Sequence, residues 1–154
     1  MSIYQIALEG DQFNLEQYKT KFLLIVNIAD ECGLSGQLAN LEALHQNRRL
    51  NCQVLAFPSN QFKQQRRDFN TMQSWCSIDQ RLSFPIYHTI SVNGKNTHPL
   101  FKYLKSHAKG LFHQERLFWN YTKFLVLPEE RAIKRFAPGS KISCIASYIA
   151  RVKV

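Results

Sequence analysis

The chain has 154 residues, 45% of them hydrophobic and 20% charged, with a formal net charge of +9. That length suits one domain with a sizeable core, and no apolar run approaches the ~20 residues needed to span a bilayer. The basic residues are scattered from Lys19 to Lys153, adjacent only at Arg48-Arg49, Arg66-Arg67 and Lys134-Arg135, which fits an anionic small substrate or acidic partner better than a nucleic-acid footprint.

Up to Tyr18 the composition predicts a short hairpin or extended lead-in. Phe22-Leu23-Leu24-Ile25-Val26-Asn27-Ile28 is almost continuously apolar, as expected of a strand covered on both faces. Glu31-Cys32-Gly33 follows, and then a helix over about 35–47 with Leu38, Leu41 and Leu44 on one face. Cys32 is thus expected at or just before a helix N-terminus, where free N–H groups and the helix dipole favour a thiolate. Cys52 to Phe57 reads as a second strand stopped by Pro58, completing a β-α-β unit.

Residues 59–69 are polar and irregular, and Asn70 is a candidate cap for a short helix reaching Cys76. Phe84 to Tyr87 is a short extended segment, Val92 to Lys95 contains a turn, and Pro99 to His107 reads as a helix with proline in its first turn. Strands over 122–127 and 132–136 are expected to form an antiparallel hairpin across Pro128 to Arg131. Ser140 is the candidate cap of a closing helix with Ile142, Ile145 and Ile149 on one face. This order predicts an α/β fold, a thioredoxin-like sandwich with a central mixed sheet flanked by helices. No repeat, low-complexity tract or linker interrupts it, so a single domain over 1–154 is expected.

The four cysteines (Cys32, Cys52, Cys76, Cys144) form no C-x-x-C pair and the five histidines lack metal-ligand spacing, so no metal site is expected. Cys52 and Cys144 are expected to be buried structural thiols. The N-terminal residues lack the basic region and apolar stretch of a signal peptide, which makes a cytoplasmic location the expectation.

The run Leu24 to Leu34 (LIVNIADECGL) resembles the first signature of the glutathione peroxidase family, Ala56 to Phe62 (AFPSNQF) the second, and Trp119 to Val126 (WNYTKFLV) the third. Smaller echoes at 84–86, 92–94, 98–101 and 134–138 fall in the same order. The resemblance implies that Cys32 attacks the peroxide O–O bond and becomes a sulfenic acid, assisted by Gln65, Trp119 and Asn120. Taken singly, Trp119 reads rather as a core or surface-patch aromatic, Gln65 as a solvated loop residue and Asn120 as a turn residue; the ordered signatures reverse that preference.

Two features depart from the family pattern. Lys63-Gln64 stand where two glycines usually precede the glutamine, so Gln64 is an alternative to Gln65. Asp30 and Glu31 place two carboxylates before the thiol, which oppose its ionisation unless Arg66 or Arg67 comes near; the plainer expectation is that both point into water.

Cys76 matches the resolving cysteine of the thioredoxin-dependent branch. The resemblance therefore implies an intramolecular Cys32–Cys76 disulfide reduced by thioredoxin, with glutathione as the alternative reductant. A peroxide sensor passing its oxidation to a partner protein is the competing reading. The implied substrates are hydrogen peroxide and organic or lipid hydroperoxides. No metal or organic cofactor, no nucleic-acid partner and no stable membrane anchoring are implied, and the short 95–119 connection implies a monomer.

Overall fold

The computed structural model describes residues 1–153. Its centre is a four-stranded mixed sheet of β1 (Phe22–Ile28), β2 (Cys52–Pro58), β3 (Lys123–Val126) and β4 (Ile133–Phe136), in the order β2-β1-β3-β4. The helices are α1 (Gln37–Gln46), α2 (Phe69–Ser74), α3 (Pro99–His107) and α4 (Ile142–Val152). β1 runs parallel to β2, with Leu24 opposite Val54, and antiparallel to β3, with Leu24 opposite Leu125. A strand with neighbours on both edges and helices on both faces has no place for exposed polar side chains, which accounts for the apolar run at 22–28.

The pleat divides β1 between two cores. Phe22, Leu24, Val26 and Ile28 pack with Leu38, Leu41 and Leu44 of α1, with Ile142, Ile145 and Ile149 of α4, and with Met72 and Cys76. Leu23 and Ile25 join the opposite core, with Leu100, Phe101 and Leu104 of α3 and the N-terminal Ile3, Phe13 and Tyr18. Each fully buried side chain of this kind contributes about 1.5–3 kcal/mol. β3 and β4 form the expected antiparallel hairpin, and Pro99 opens α3 with the His98 ring nitrogen accepting the Leu100 N–H at 3.1 Å.

Four local expectations are corrected. The N-terminal segment is not a hairpin but three 3₁₀ turns, Ile3–Gln5, Asp11–Phe13 and Leu15–Tyr18. Ser2 and Asn14 cap two of them through their side chains, a competition that short polar side chains win against strand pairing. The cap of α2 is Asp68, whose carboxylate accepts the Thr71 N–H at 2.9 Å, and Asn70 lies inside the helix. Ser140 does not cap α4; its carbonyl, with those of Ala137 and Pro138, accepts from the buried Lys123 ammonium. Cys144 is exposed, because the three isoleucines take the inner face of α4. Phe84 to Tyr87 meets β2 at a single parallel bridge, Ala56 with Ile86, where Pro85 has no N–H to extend the ladder.

Candidate active site

The carboxyl end of β1 leads through Ala29, Asp30 and Glu31 to Cys32. The residue is 3% exposed; its sulfur accepts the Leu34 N–H at 3.4 Å, while its carbonyl accepts the Ser35 N–H at 3.0 Å. α1 opens only at Gln37, so the thiol is held by a tight turn ahead of the helix rather than by the first helical turn itself.

Asn27, the one polar residue of β1, fixes the loop that faces this turn. Its Nδ2 donates to the Trp119 carbonyl at 3.4 Å and to Asn120 Oδ1 at 3.5 Å, and its Oδ1 accepts the Thr122 N–H at 3.0 Å. Its backbone carbonyl accepts the Tyr121 N–H at 2.6 Å. Tyr121 adopts φ 66° to make this bend, and its hydroxyl donates to the Ala29 carbonyl at 3.3 Å. Burial, and then the charges that Cys32, Cys76 and Asp30 would carry, push the Tyr121 phenol far up, so it stays a neutral donor. Neither Asn27 nor Tyr121 was assigned a role from the sequence; an asparagine in an otherwise apolar central strand is the signal that points to one.

Asn120 is fully buried, and its Nδ2 donates to Gln64 Oε1 at 3.5 Å. Gln65 is engaged elsewhere: its Oε1 accepts the Asp30 N–H at 2.9 Å, and its Nε2 donates to the Arg67 carbonyl at 3.0 Å and lies 3.4 Å from Met72 Sδ. Trp119 is 38% exposed, its ring centred 5.7 Å from that of Phe62. Gln64 thus links the Asn120 loop to the Cys32 turn, its side chain accepting from Asn120 and its carbonyl accepting the N–H of Glu31, the residue before Cys32, at 2.9 Å. Among the described residues, Gln65, Trp119 and Asn120 make no hydrogen bond to the Cys32 sulfur.

The two acidic residues behave differently, which corrects the expectation that both point into water. Glu31 does lie at the surface, paired with Arg66 at 2.6 Å, where such a pair contributes little. The Asp30 side chain is fully buried. It accepts the Arg66 N–H at 3.0 Å, the Arg67 N–H at 2.9 Å and Arg67 Nη1 at 2.9 Å.

Cys76 is 1% exposed and shares the apolar cluster of Cys32, Met72 and Tyr121. It sits not in α2 but in the π-helical turn that follows, Trp75–Asp79, closed by the Gln80 N–H on the Trp75 carbonyl at 2.9 Å. Burial, and secondarily the Asp30 carboxylate, push its thiol up to about 12, with Arg67 acting in the opposite sense. Cys52, inside β2, is likewise raised by burial to about 12. Among the described residues no group of three His, Cys, Asp or Glu could hold a metal ion, and no helix is long and apolar enough to cross a membrane.

The family model for glutathione peroxidase matches residues 1–105. The chain is 41% identical over 145 residues to a glutathione peroxidase homolog, BsaA, of Halalkalibacterium halodurans, covering 91% of this chain and 92% of that one. It is 40% identical to a "probable phospholipid hydroperoxide glutathione peroxidase" of Citrus sinensis, covering 94% and 87%. The solved structure of Trgpx in apo form superposes with a TM-score of 0.77 at 33% identity, over 98% of this chain and 94% of that one. A thioredoxin-family thiol:disulfide interchange protein of Chlorobium tepidum, at 9% identity and a TM-score of 0.64, shares the fold.

Proposed function

The chain belongs to the glutathione peroxidase family, and from that premise we propose that it is a thiol peroxidase working through Cys32 and Cys76. The observation that carries this reading is the burial of those two thiols in the core on the same face of the sheet, where the Tyr121 phenol feels the charge of both. In the first half of the cycle the Cys32 thiolate attacks the terminal peroxide oxygen. The O–O bond breaks, the alkoxide is protonated and leaves as an alcohol, and Cys32 becomes a sulfenic acid. Trp119 and Asn120 supply uncharged N–H donors for the developing alkoxide.

The hydrogen bond between Asn120 and Gln64 favours Gln64 as the amide nearest the peroxide. Gln65, tied to Asp30 and Arg67, positions the Cys32 turn. Replacing each in turn by alanine separates the two roles. Loss of the first-turnover rate only in Gln65→Ala would overturn this assignment and return Gln65 to the peroxide.

In the second half Cys76 resolves the sulfenic acid to a disulfide, which an external dithiol such as thioredoxin reduces. The π turn that carries Cys76 supports this step, because such turns interrupt the regular helical ladder and ease local opening. The half-exposed Trp119 beside exposed Phe118 offers an apolar rim for organic and lipid hydroperoxides. Glutathione as reductant draws support from the net charge of +9.

Peroxide consumption coupled to thioredoxin and thioredoxin reductase, compared with glutathione and glutathione reductase, tests the reading. Wild type should turn over with thioredoxin, and Cys76→Ser should complete one turnover and stop. Undiminished steady-state turnover of Cys76→Ser with glutathione would replace thioredoxin by the tripeptide. Oxidation of a partner protein with negligible steady-state flux would make the chain a sensor.

A further inference from the structure

The segment that carries Cys76 has little to hold it in place by itself. α2 spans six residues and passes directly into the five-residue π turn, far short of the length at which a helix is stable on its own merits. Inward burial comes mainly from Met72 and Cys76. Gln73 Nε2 donates to the Ile86 carbonyl at 2.6 Å and the Cys76 carbonyl accepts the Leu82 N–H at 2.8 Å; toward the Cys32 turn, the buried polar contacts of the segment run through Asp30 and Arg67.

Asp30 stands on the Cys32 side of that junction, its buried carboxylate accepting from two backbone N–H groups and from the Arg67 guanidinium. Arg67 stands on the Cys76 side. Its guanidinium carbon lies 4.7 Å from the centre of the Trp75 ring, and Trp75 is the residue before Cys76. Gln65 crosses the same junction, accepting from Asp30 N–H and donating toward Arg67 and Met72. A buried carboxylate stripped of its cation is strongly unfavourable, so these contacts open together. An ammonium in place of the guanidinium would keep a charge for the Trp75 face but not the fork that also bonds Asp30.

We infer that the Asp30–Arg67–Trp75 contact is a latch that keeps the Cys76 segment closed while Cys32 reacts with hydroperoxide, and that its release sets the rate at which Cys76 reaches oxidised Cys32. The inference rests on the proposed Cys32–Cys76 chemistry. In the step it controls, the Cys76 thiol loses its proton and its sulfur attacks the sulfenic sulfur of Cys32. The S–S bond forms as the S–O bond breaks, and the departing hydroxide takes up a proton to leave as water. While the latch is closed, burial and the neighbouring Asp30 carboxylate hold Cys76 as the unreactive thiol. Arg67 touches no reacting atom and is a positioning residue for the second half of the cycle.

The test is a single-turnover experiment on the whole chain with one equivalent of hydroperoxide. Peroxide loss, sulfenic acid (trapped with dimedone) and the Cys32–Cys76 linkage (peptide mass mapping) are followed together. In Arg67→Gln and Asp30→Asn, disulfide formation should accelerate about tenfold relative to sulfenic acid formation in the same variant, equivalent to about 1.4 kcal/mol less opening free energy. Amide hydrogen exchange over 69–79 should rise in parallel, and Arg67→Lys should fall between wild type and Arg67→Gln. Should Arg67→Gln fail to fold, Arg67→Lys and Asp30→Asn carry the same measurement.

A sulfenic acid lifetime unchanged or lengthened in folded variants, with the wild-type linkage forming normally, overturns the latch alone. Absence of any Cys32–Cys76 linkage in wild type overturns the proposed chemistry and the latch with it.

Discussion

Cys32 follows the central strand of the sheet, and the loop opposite it is fastened to that strand through both the side chain and the backbone of Asn27. Cys76 follows a six-residue helix, sits in a π turn, and is kept in place by local contacts, among them those of Arg67 with Asp30 and Trp75 and of Gln73 with the Ile86 carbonyl. The first support is strand pairing with parallel and antiparallel neighbours, which opens only with the sheet. The second is a local assembly that can open while the sheet stays intact. In the proposed cycle, a nucleophile that must meet its substrate in one geometry would fit the rigid support, and a thiol that must travel would fit the loose one.

The largest effect expected on the rigid side is that of Cys32→Ser, which should lower peroxide consumption by roughly 10³-fold or more. Retention of the wild-type rate would remove Cys32 from the chemistry. Asn27→Leu should come next. It leaves the Thr122 N–H and Asn120 Oδ1 without their buried partner and should lower stability by about 2–3 kcal/mol. It should also slow the first turnover while leaving the opening rate of residues 69–79 unchanged by amide exchange. Equal acceleration of that opening would show that the two supports are one.

The pH dependence gives an effect of similar size. Cys52 and Cys76 are both raised to about 12 in the folded chain, against about 8.5 for a free cysteine. Between those values the unfolded chain has lost the proton that the folded chain keeps. The stabilisation is therefore complete below about pH 8.5 and is lost as pH rises toward 12, at roughly 1.4 kcal/mol per pH unit for each thiol. Lys123, which burial holds down to about 8, works in the opposite sense over about pH 8–10.5, so Cys52→Ala should make the change of the urea midpoint from pH 8.5 to 10.5 more positive than in wild type by one thiol's share. An unchanged slope would mean that Cys52 does not contribute.

The smallest effect belongs to Glu31→Gln, which breaks only the surface pair with Arg66 and should change stability by less than about 0.5 kcal/mol. A loss comparable to that of Asp30→Asn would erase the distinction between the two acidic neighbours of the thiol.

Much of the architecture was legible in the sequence because it follows from apolar periodicity. The bounds of β1 and α3 match their sequence expectation, and the three isoleucines of α4 face the core as their spacing requires. What escaped was decided by partners far along the chain. Ser140 has the chemistry of a cap, but Lys123 draws the carbonyls of 137, 138 and 140 together and α4 begins without it. Asp30 looks like a surface charge until the 64–67 loop folds over it, and no local pattern around Asp30 announces that loop. In the site, the ordered signatures pointed to Cys32, Trp119 and Asn120. The division of labour between Gln64 and Gln65 depends on which way each amide turns, which spacing alone does not encode.

Asn27 has one further consequence, in the order of events as the chain folds. It bonds to residues 92 to 95 positions away, so the loop bearing Trp119 and Asn120 acquires its place only after β3 has closed a long excursion onto β1. Closing so large a loop is entropically slow and comes after local helices and turns have formed. Recovery of peroxide consumption during refolding should therefore lag behind recovery of helical signal, which makes activity a stopwatch for the pairing of β1 with β3.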